Sequence, residues 1–155
     1  MEIQVLSVVS DTIVDGPGFR TSIYCAGCLH GCKGCHNPQS WNPKSGRSAS
    51  TEELLNEVLK NEFNNVTFTG GDPFYQAEAF AELARMIKEE SNKTIWCFTG
   101  FLYEELIQIQ AANELLKFID VLVDGPFIEE LKDESLRFRG SSNQRTINLH
   151  EGVII

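Results

Sequence analysis

The sequence predicts a single-domain α/β fold, a partial and open α/β barrel of mostly parallel strands. Three observations predict it. Short β-branched runs alternate with longer stretches of helical period, the pattern of strand–helix–strand units with parallel pairing. The chain's 155 residues fall short of the about 250 that a closed eightfold barrel typically needs. The least ordinary residues fall just after strands, where open α/β sheets bind their ligands.

The elements follow in order. Strands are read at residues 3–9 and 21–25 from alternating apolar positions. Residues 37–49, polar and carrying Pro38, Pro43 and Gly46, read as a surface loop. A helix starts at Ser50, which with Glu53 has the form of a capping box, and places Leu54, Leu55, Val58 and Leu59 on one face. A strand at 66–69 leads to a helix at 76–90, whose Phe80, Leu83, Ala84 and Ile87 recur at helical spacing. After a strand at 94–98 come helices at about 102–110 and 113–118, a strand at 121–124, and a weaker strand pair around 146–149 and 153–155. No repeat, linker or low-complexity segment interrupts the order, so residues 1–155 are expected to act as one domain.

Composition narrows the function classes. Hydrophobic residues make up 42% and charged residues 23%, the balance of a soluble globular protein. A net charge of −9 argues against nucleic acid as a partner, because neutralising phosphates takes clustered Lys and Arg. Arg137, Arg139 and Arg145 are the one basic concentration, read as an anion contact or a solvated edge. The start at Met1 has no secretory leader and no apolar run reaches membrane-spanning length, so no membrane partner and a cytoplasmic location are expected. Thiols stay reduced there, and clustered cysteines read as metal ligands before disulfides.

Cys28, Cys32 and Cys35 form C-x3-C-x2-C in one loop. Zinc knuckles built from Cys25 with Cys28 and from Cys32 with Cys35 would be separated only by Leu29, His30 and Gly31, where about a dozen residues is usual. A four-cysteine ferredoxin cluster would show a different spacing. Inert buried thiols would not be interleaved with Gly31 and Gly34, although Cys25, at the end of a strand pattern, reads that way. Three thiolates are one short of saturating a four-iron cubane, and one iron would keep an open site. Further along, Gly70-Gly71-Asp72-Pro73, Thr99-Gly100 and Asp124-Gly125-Pro126 each follow a strand. Glycines let backbone approach a ligand closely, and an ammonium wants carbonyls and a carboxylate around it.

C-x3-C-x2-C resembles the signature of the radical S-adenosylmethionine superfamily. The resemblance implies a [4Fe–4S] cluster on Cys28, Cys32 and Cys35, with the fourth iron taking the amino and carboxylate groups of S-adenosylmethionine. It also implies that Gly34, Cys35 and His36 pass their backbone against the nucleoside. Thr69-Gly70-Gly71-Asp72-Pro73 resembles the superfamily's Gly-Gly-Glu-Pro-like turn, which receives the methionyl ammonium. The stretches at 15–20, 96–101, 121–125 and 139–145 are similar to the activating proteins of anaerobic ribonucleoside-triphosphate reductase, a family of glycyl-radical-enzyme activases. The chain departs from the usual pattern in Gly34, where many members of the superfamily carry an aromatic residue, and in the added Cys25 and Cys97.

What the resemblance implies is an activase. A flavodoxin- or ferredoxin-like donor reduces the cluster, S-adenosylmethionine is cleaved to methionine and a 5′-deoxyadenosyl radical, and a glycine of the reductase loses a hydrogen atom. No side chain is expected to act as acid or base. Two other readings are a radical S-adenosylmethionine enzyme acting on a small metabolite and a non-enzymatic iron–sulfur or zinc protein. Thr99 and Asp124 are read as ligand contacts. Arg20, either a functional residue or one pairing a carboxylate, and Asn143 stay open. His30 is read as a solvent-facing loop histidine, and Trp96 and Phe98 as neighbours on one sheet face.

Overall fold

In the computed structural model, which describes residues 1–35 and 38–155, eight strands form one open sheet. They are β1 (Glu2–Thr12), β2 (Arg20–Cys25), β3 (Arg47–Ser50), β4 (Asn65–Gly70), β5 (Ile95–Phe98), β6 (Val121–Asp124), β7 (Arg145–Asn148) and β8 (Val153–Ile154), in the spatial order β3-β1-β2-β4-β5-β6-β7-β8. The centre, β2-β4-β5-β6, is parallel. Helices α1 (Thr51–Leu59), α2 (Ala77–Glu90), α3 (Tyr103–Leu106) and α4 (Gln110–Leu116) lie on the connections between those strands.

Both flanks are antiparallel, β1 against β2 and β3 on one side, β7 against β6 and β8 on the other. The reason is the connections. β1 turns directly into β2, β7 directly into β8, and 125–144 holds no α-helix, whereas a parallel return needs a crossover of a dozen residues or more. Part of the tract read as a loop is β3, an edge strand that buries only Ala49. The expected capping box is half made: Ser50 Oγ accepts from Glu53 N at 3.0 Å, while the Glu53 carboxylate turns to Arg47 at 2.8 Å.

Period-two alternation gives the sheet two different faces. Ile23, Cys25, Val66, Phe68, Ile95, Cys97 and Leu122 pack with Leu54 and Val58 of α1, Phe80, Leu83 and Ile87 of α2, and Leu115 of α4. The Phe68 and Phe80 rings lie 4.8 Å apart at the middle of this core. The opposite, concave face has a smaller cluster of Trp96, Val121 and Val123 with Phe98 and Phe138. As the sequence suggests, Trp96 and Phe98 share a face.

Arg20 closes the concave face at the amino end of the parallel strands. Its guanidinium, 1% exposed, donates to Thr67 Oγ1 at 2.8 Å, Val66 O at 2.7 Å and Pro17 O at 3.1 Å, and lies 5.7 Å from the Trp96 ring. No carboxylate among the described residues reaches it; burial lowers its pKa to about 10, against the pull of Asp120 and Asp15. Gly16 is required here, since a Cβ would stand 2.9 Å from Arg20 Cδ. Asp15 O accepts from Thr67 Oγ1 at 2.7 Å, so the run Asp15-Gly16-Pro17 is tied to β4 as well as to Arg20.

Candidate functional site

The carboxyl ends of β2 and β4 meet in register at Cys25 and Gly70. Beyond them the two following turns pack backbone on backbone: Gly71 N donates to Cys25 O at 2.8 Å, and Asp72 N to Gly27 O at 2.9 Å. A Cβ on Gly70, whose φ is +118, would stand 2.3 Å from Cys25 N, and one on Gly71 would stand 2.5 Å from Gly27 O. The paired glycines therefore let the β4 turn seat itself against the root of the cysteine loop. The loop's other side is held to 38–41, with Gly27 N donating to Ser40 O at 2.7 Å and Cys28 N to Trp41 O at 3.1 Å.

Asp72 organises the rim. Its carboxylate, 1% exposed, accepts from Phe74 N at 3.0 Å, Thr99 Oγ1 at 2.8 Å, Gly100 N at 2.9 Å and His30 Nε2 at 2.6 Å. A carboxylate accepts, so in this pair the imidazole donates. One side chain thus joins the turns after β2, β4 and β5. His30 corrects the sequence reading: it does not face solvent but is 15% exposed, edge-on to Phe101 at 4.6 Å and tilted on Tyr75 at 5.5 Å. Gly100 makes room for it, because a Cβ there would lie 2.6 Å from the ring.

Under this rim is a pocket of about 260 Å³. Cys28, Cys32 and Cys35 line it together with Gly70, Gly71, Asp72 and Thr99. Its far wall comes from Phe98, Phe127 and Phe138, which sequence reasoning missed as site residues. Gly34 is beside the pocket rather than in its lining, with space for a Cβ closed by Glu129 and Phe127 at 3.2 and 3.3 Å. His36 lies outside the described residues.

Asp124 is not brought to the pocket. It shares a face with Leu122, is fully buried, accepts from Tyr103 N at 2.8 Å and binds Arg145. Arg145 also grips Glu104 at 2.9 and 2.7 Å, and those hydrogen bonds hold the Glu104 carboxyl down to about 2. Asn143 braces the turn after β6, donating to Pro126 O at 2.8 Å, and its Oδ1 is buried with no partner among the described residues.

The donor set fits a cluster with one open iron. Three thiols come from one loop into one pocket, while Cys25 and Cys97 are fully buried on the helix-covered face, where burial pushes both thiols well above their ordinary value. Burial also raises Cys28, to about 11, so a cation at the site is what would draw off its proton. Among the described residues no three His, Cys, Asp or Glu side chains gather as ligands of one metal ion. A cubane does not ask for that, because its thiolates take different iron corners.

Comparison with known proteins agrees with this class. Residues 14–147 match the family described as 4Fe-4S single cluster domain. The chain is 36% identical over 146 residues to the anaerobic ribonucleoside-triphosphate reductase-activating protein of Enterobacteria phage T4, covering 90% of both. It is 39% identical over 141 residues to the protein of that name from Vibrio cholerae serotype O1, covering 85% of this chain and 89% of the relative. With the Escherichia coli K12 protein of the same name, 36% identity extends over 140 residues, 85% of this chain and 90% of the relative. The chain belongs to the family of anaerobic ribonucleoside-triphosphate reductase-activating proteins.

Proposed function

We propose that this chain activates an anaerobic ribonucleoside-triphosphate reductase by generating a glycyl radical on it, the whole of residues 1–155 working as one radical S-adenosylmethionine domain. Cys28, Cys32 and Cys35 would hold three irons of a [4Fe–4S] cluster, leaving the fourth to the amino acid end of S-adenosylmethionine. When bound, that pair supplies one-electron cleavage of the sulfonium to methionine and a 5′-deoxyadenosyl radical able to take a hydrogen atom from a glycine.

The chain's own residues bind, orient and exclude water. The backbone of Gly70 and Gly71 offers the ammonium a close approach, and that of Gly34, Cys35 and His36 is assigned to the nucleoside. Asp72 and Thr99 act through the rim: the carboxylate that already accepts four hydrogen bonds keeps the three turns at a fixed spacing around the ligand. Asp124 is given a bracing role through Arg145 and Tyr103 in place of cofactor contact. Phe98 and Phe127 supply an apolar wall that keeps water from the reactive carbon. No acid or base is assigned.

The observation that carries the reading is the single pocket in which three thiols of one loop meet the Gly-Gly-Asp turn. No helix among the described residues is long and apolar enough to cross a membrane. We place the chain in the cytoplasm, with a flavodoxin- or ferredoxin-like protein as reductant. The test mixes reduced, reconstituted protein with S-adenosylmethionine and the anaerobic reductase. A doublet glycyl radical signal by electron paramagnetic resonance is expected; S-adenosylmethionine cleavage with no radical on the reductase would assign the chemistry to another substrate.

A further inference from the structure

Beside the site pocket lies a wider cleft of about 940 Å³, walled in part by Ile13, Val14, Tyr24, Leu136 and Arg139. Ile13 and Val14 are 65% and 70% exposed, so its mouth is apolar and open. The two cavities have three lining residues in common: Gly70, Phe138 and Gly140. Neither glycine has room for a side chain. Gly70 is pressed onto Cys25, and a Cβ on Gly140 would stand 2.9 Å from the Phe127 ring. Of the residues common to both cavities, only Phe138 therefore brings a side chain to the neck.

Phe138 is held there against its backbone preference. Its φ is +62, a left-handed conformation that among the described non-glycine residues only Asp11 shares. Asp tolerates that region and an aromatic residue does not, so such an outlier points to a role. The ring is kept in place edge-on to Trp96, with centroids 5.4 Å apart, and under the Arg137 guanidinium at 4.8 Å.

We propose that Phe138 is a specificity-determining partition between the cofactor chamber and the cleft. The occupant assigned to the cleft is an extended segment of the reductase that carries the glycine. The cleft's continuity with the site supports this, and so does a neck of two glycines and one ring, which suits a residue with no side chain of its own. The ring also denies small hydrogen-atom donors a path to the 5′ carbon. This inference rests on the activase reading above.

The test uses Phe138→Ala, Phe138→Leu and Phe138→Gly in the reconstituted, reduced protein, with S-adenosylmethionine and dithiothreitol. Without the reductase, the Ala and Gly variants should form 5′-deoxyadenosine several-fold faster than wild type, and in proportion to the thiol. In that side reaction the thiol S–H bond breaks as the 5′ C–H bond forms, leaving a thiyl radical. With the reductase, fewer glycyl radicals should form per S-adenosylmethionine cleaved, and Leu should restore most of the coupling. In the cluster-free chain with Trp41→Phe, acrylamide quenching of Trp96 should rise in the Ala and Gly variants, showing that the neck has opened. Opened necks with wild-type coupling would overturn the partition. So would a Gly variant, freed of backbone strain, that leaks no more than wild type. Wild-type protein that cleaves S-adenosylmethionine yet leaves no glycyl radical would instead overturn the activase reading.

Discussion

Asp72 and His30 decide how the loop of thiols sits on the sheet. Asp72→Ala would leave Phe74 N, Thr99 Oγ1, Gly100 N and His30 Nε2 without their acceptor in a buried place. A loss on the order of 3 kcal/mol is expected by urea unfolding, since orphaned buried donors cost about 1–3 kcal/mol each and relaxation recovers part. An unchanged midpoint would mean that the rim is held by its backbone contacts alone. Among the thiols, Cys28→Ala, Cys32→Ala and Cys35→Ala should each abolish the brown chromophore of the reconstituted protein, while Cys25→Ala and Cys97→Ala should keep it. The latter pair faces the helices.

The thiol trio, the Gly-Gly-Asp turn and Thr99 were all legible in the sequence, because each belongs to a short pattern that follows a strand. His30 was not, because its partner lies 42 residues away and no local spacing joins them. The sequence places Asp124 on the rim because it ends a strand, and a strand end fixes height but not face. Its parity with Leu122 points it to the helices.

Among the elements, the parallel centre followed from β-branched runs and long amphipathic helices. The edge strand β3 did not, since Arg47-Ser48-Ala49-Ser50 buries a single apolar residue and leaves periodicity silent. Likewise α3 is one short turn and α4 starts at Gln110, because Ile107 to Ile109 form a turn where helical spacing was read. The elements on this side are tied by Asp120, which binds Lys88 of α2, Ile95 N of β5 and His150 after β7. Burial alone would raise its pKa, but hydrogen bonds from Lys88, His150 and Ile95 carry it below the ordinary 3.8. A depressed carboxyl contributes stability above its unfolded value and loses it as pH falls through the folded one. Asp120→Asn should therefore cost about 1.5–3 kcal/mol at neutral pH, the range for hydrogen bonds to charged groups. The gap in urea midpoints should begin to close as pH falls below 3.8 and vanish only below the depressed folded value; a gap that persists in stronger acid would assign the loss to packing.

At the scale of the whole molecule, the sheet divides its labour between two faces. The helix-covered face has the main core, and Phe80→Ala there should cost about 3–5 kcal/mol, measured by denaturant unfolding. The folded fraction should still take up a cluster, because Phe80 packs on the face turned away from the pocket. Loss of cluster uptake by folded protein would show that the faces are coupled. The concave face is only partly filled, by Arg20 and a small aromatic cluster, and that incompleteness leaves room for ligand and partner together. Length predicted the open barrel. How its interior is shared out was not legible, since it depends on where 13–19 and 125–144 fold back.

Everything the site does depends on one iron left without a cysteine. The most direct measurement is the electron paramagnetic resonance spectrum of the reduced, anaerobically reconstituted chain before and after S-adenosylmethionine is added. A changed cluster signal, retained in Cys25→Ala and Cys97→Ala, is predicted. A spectrum indifferent to the cosubstrate would contradict it.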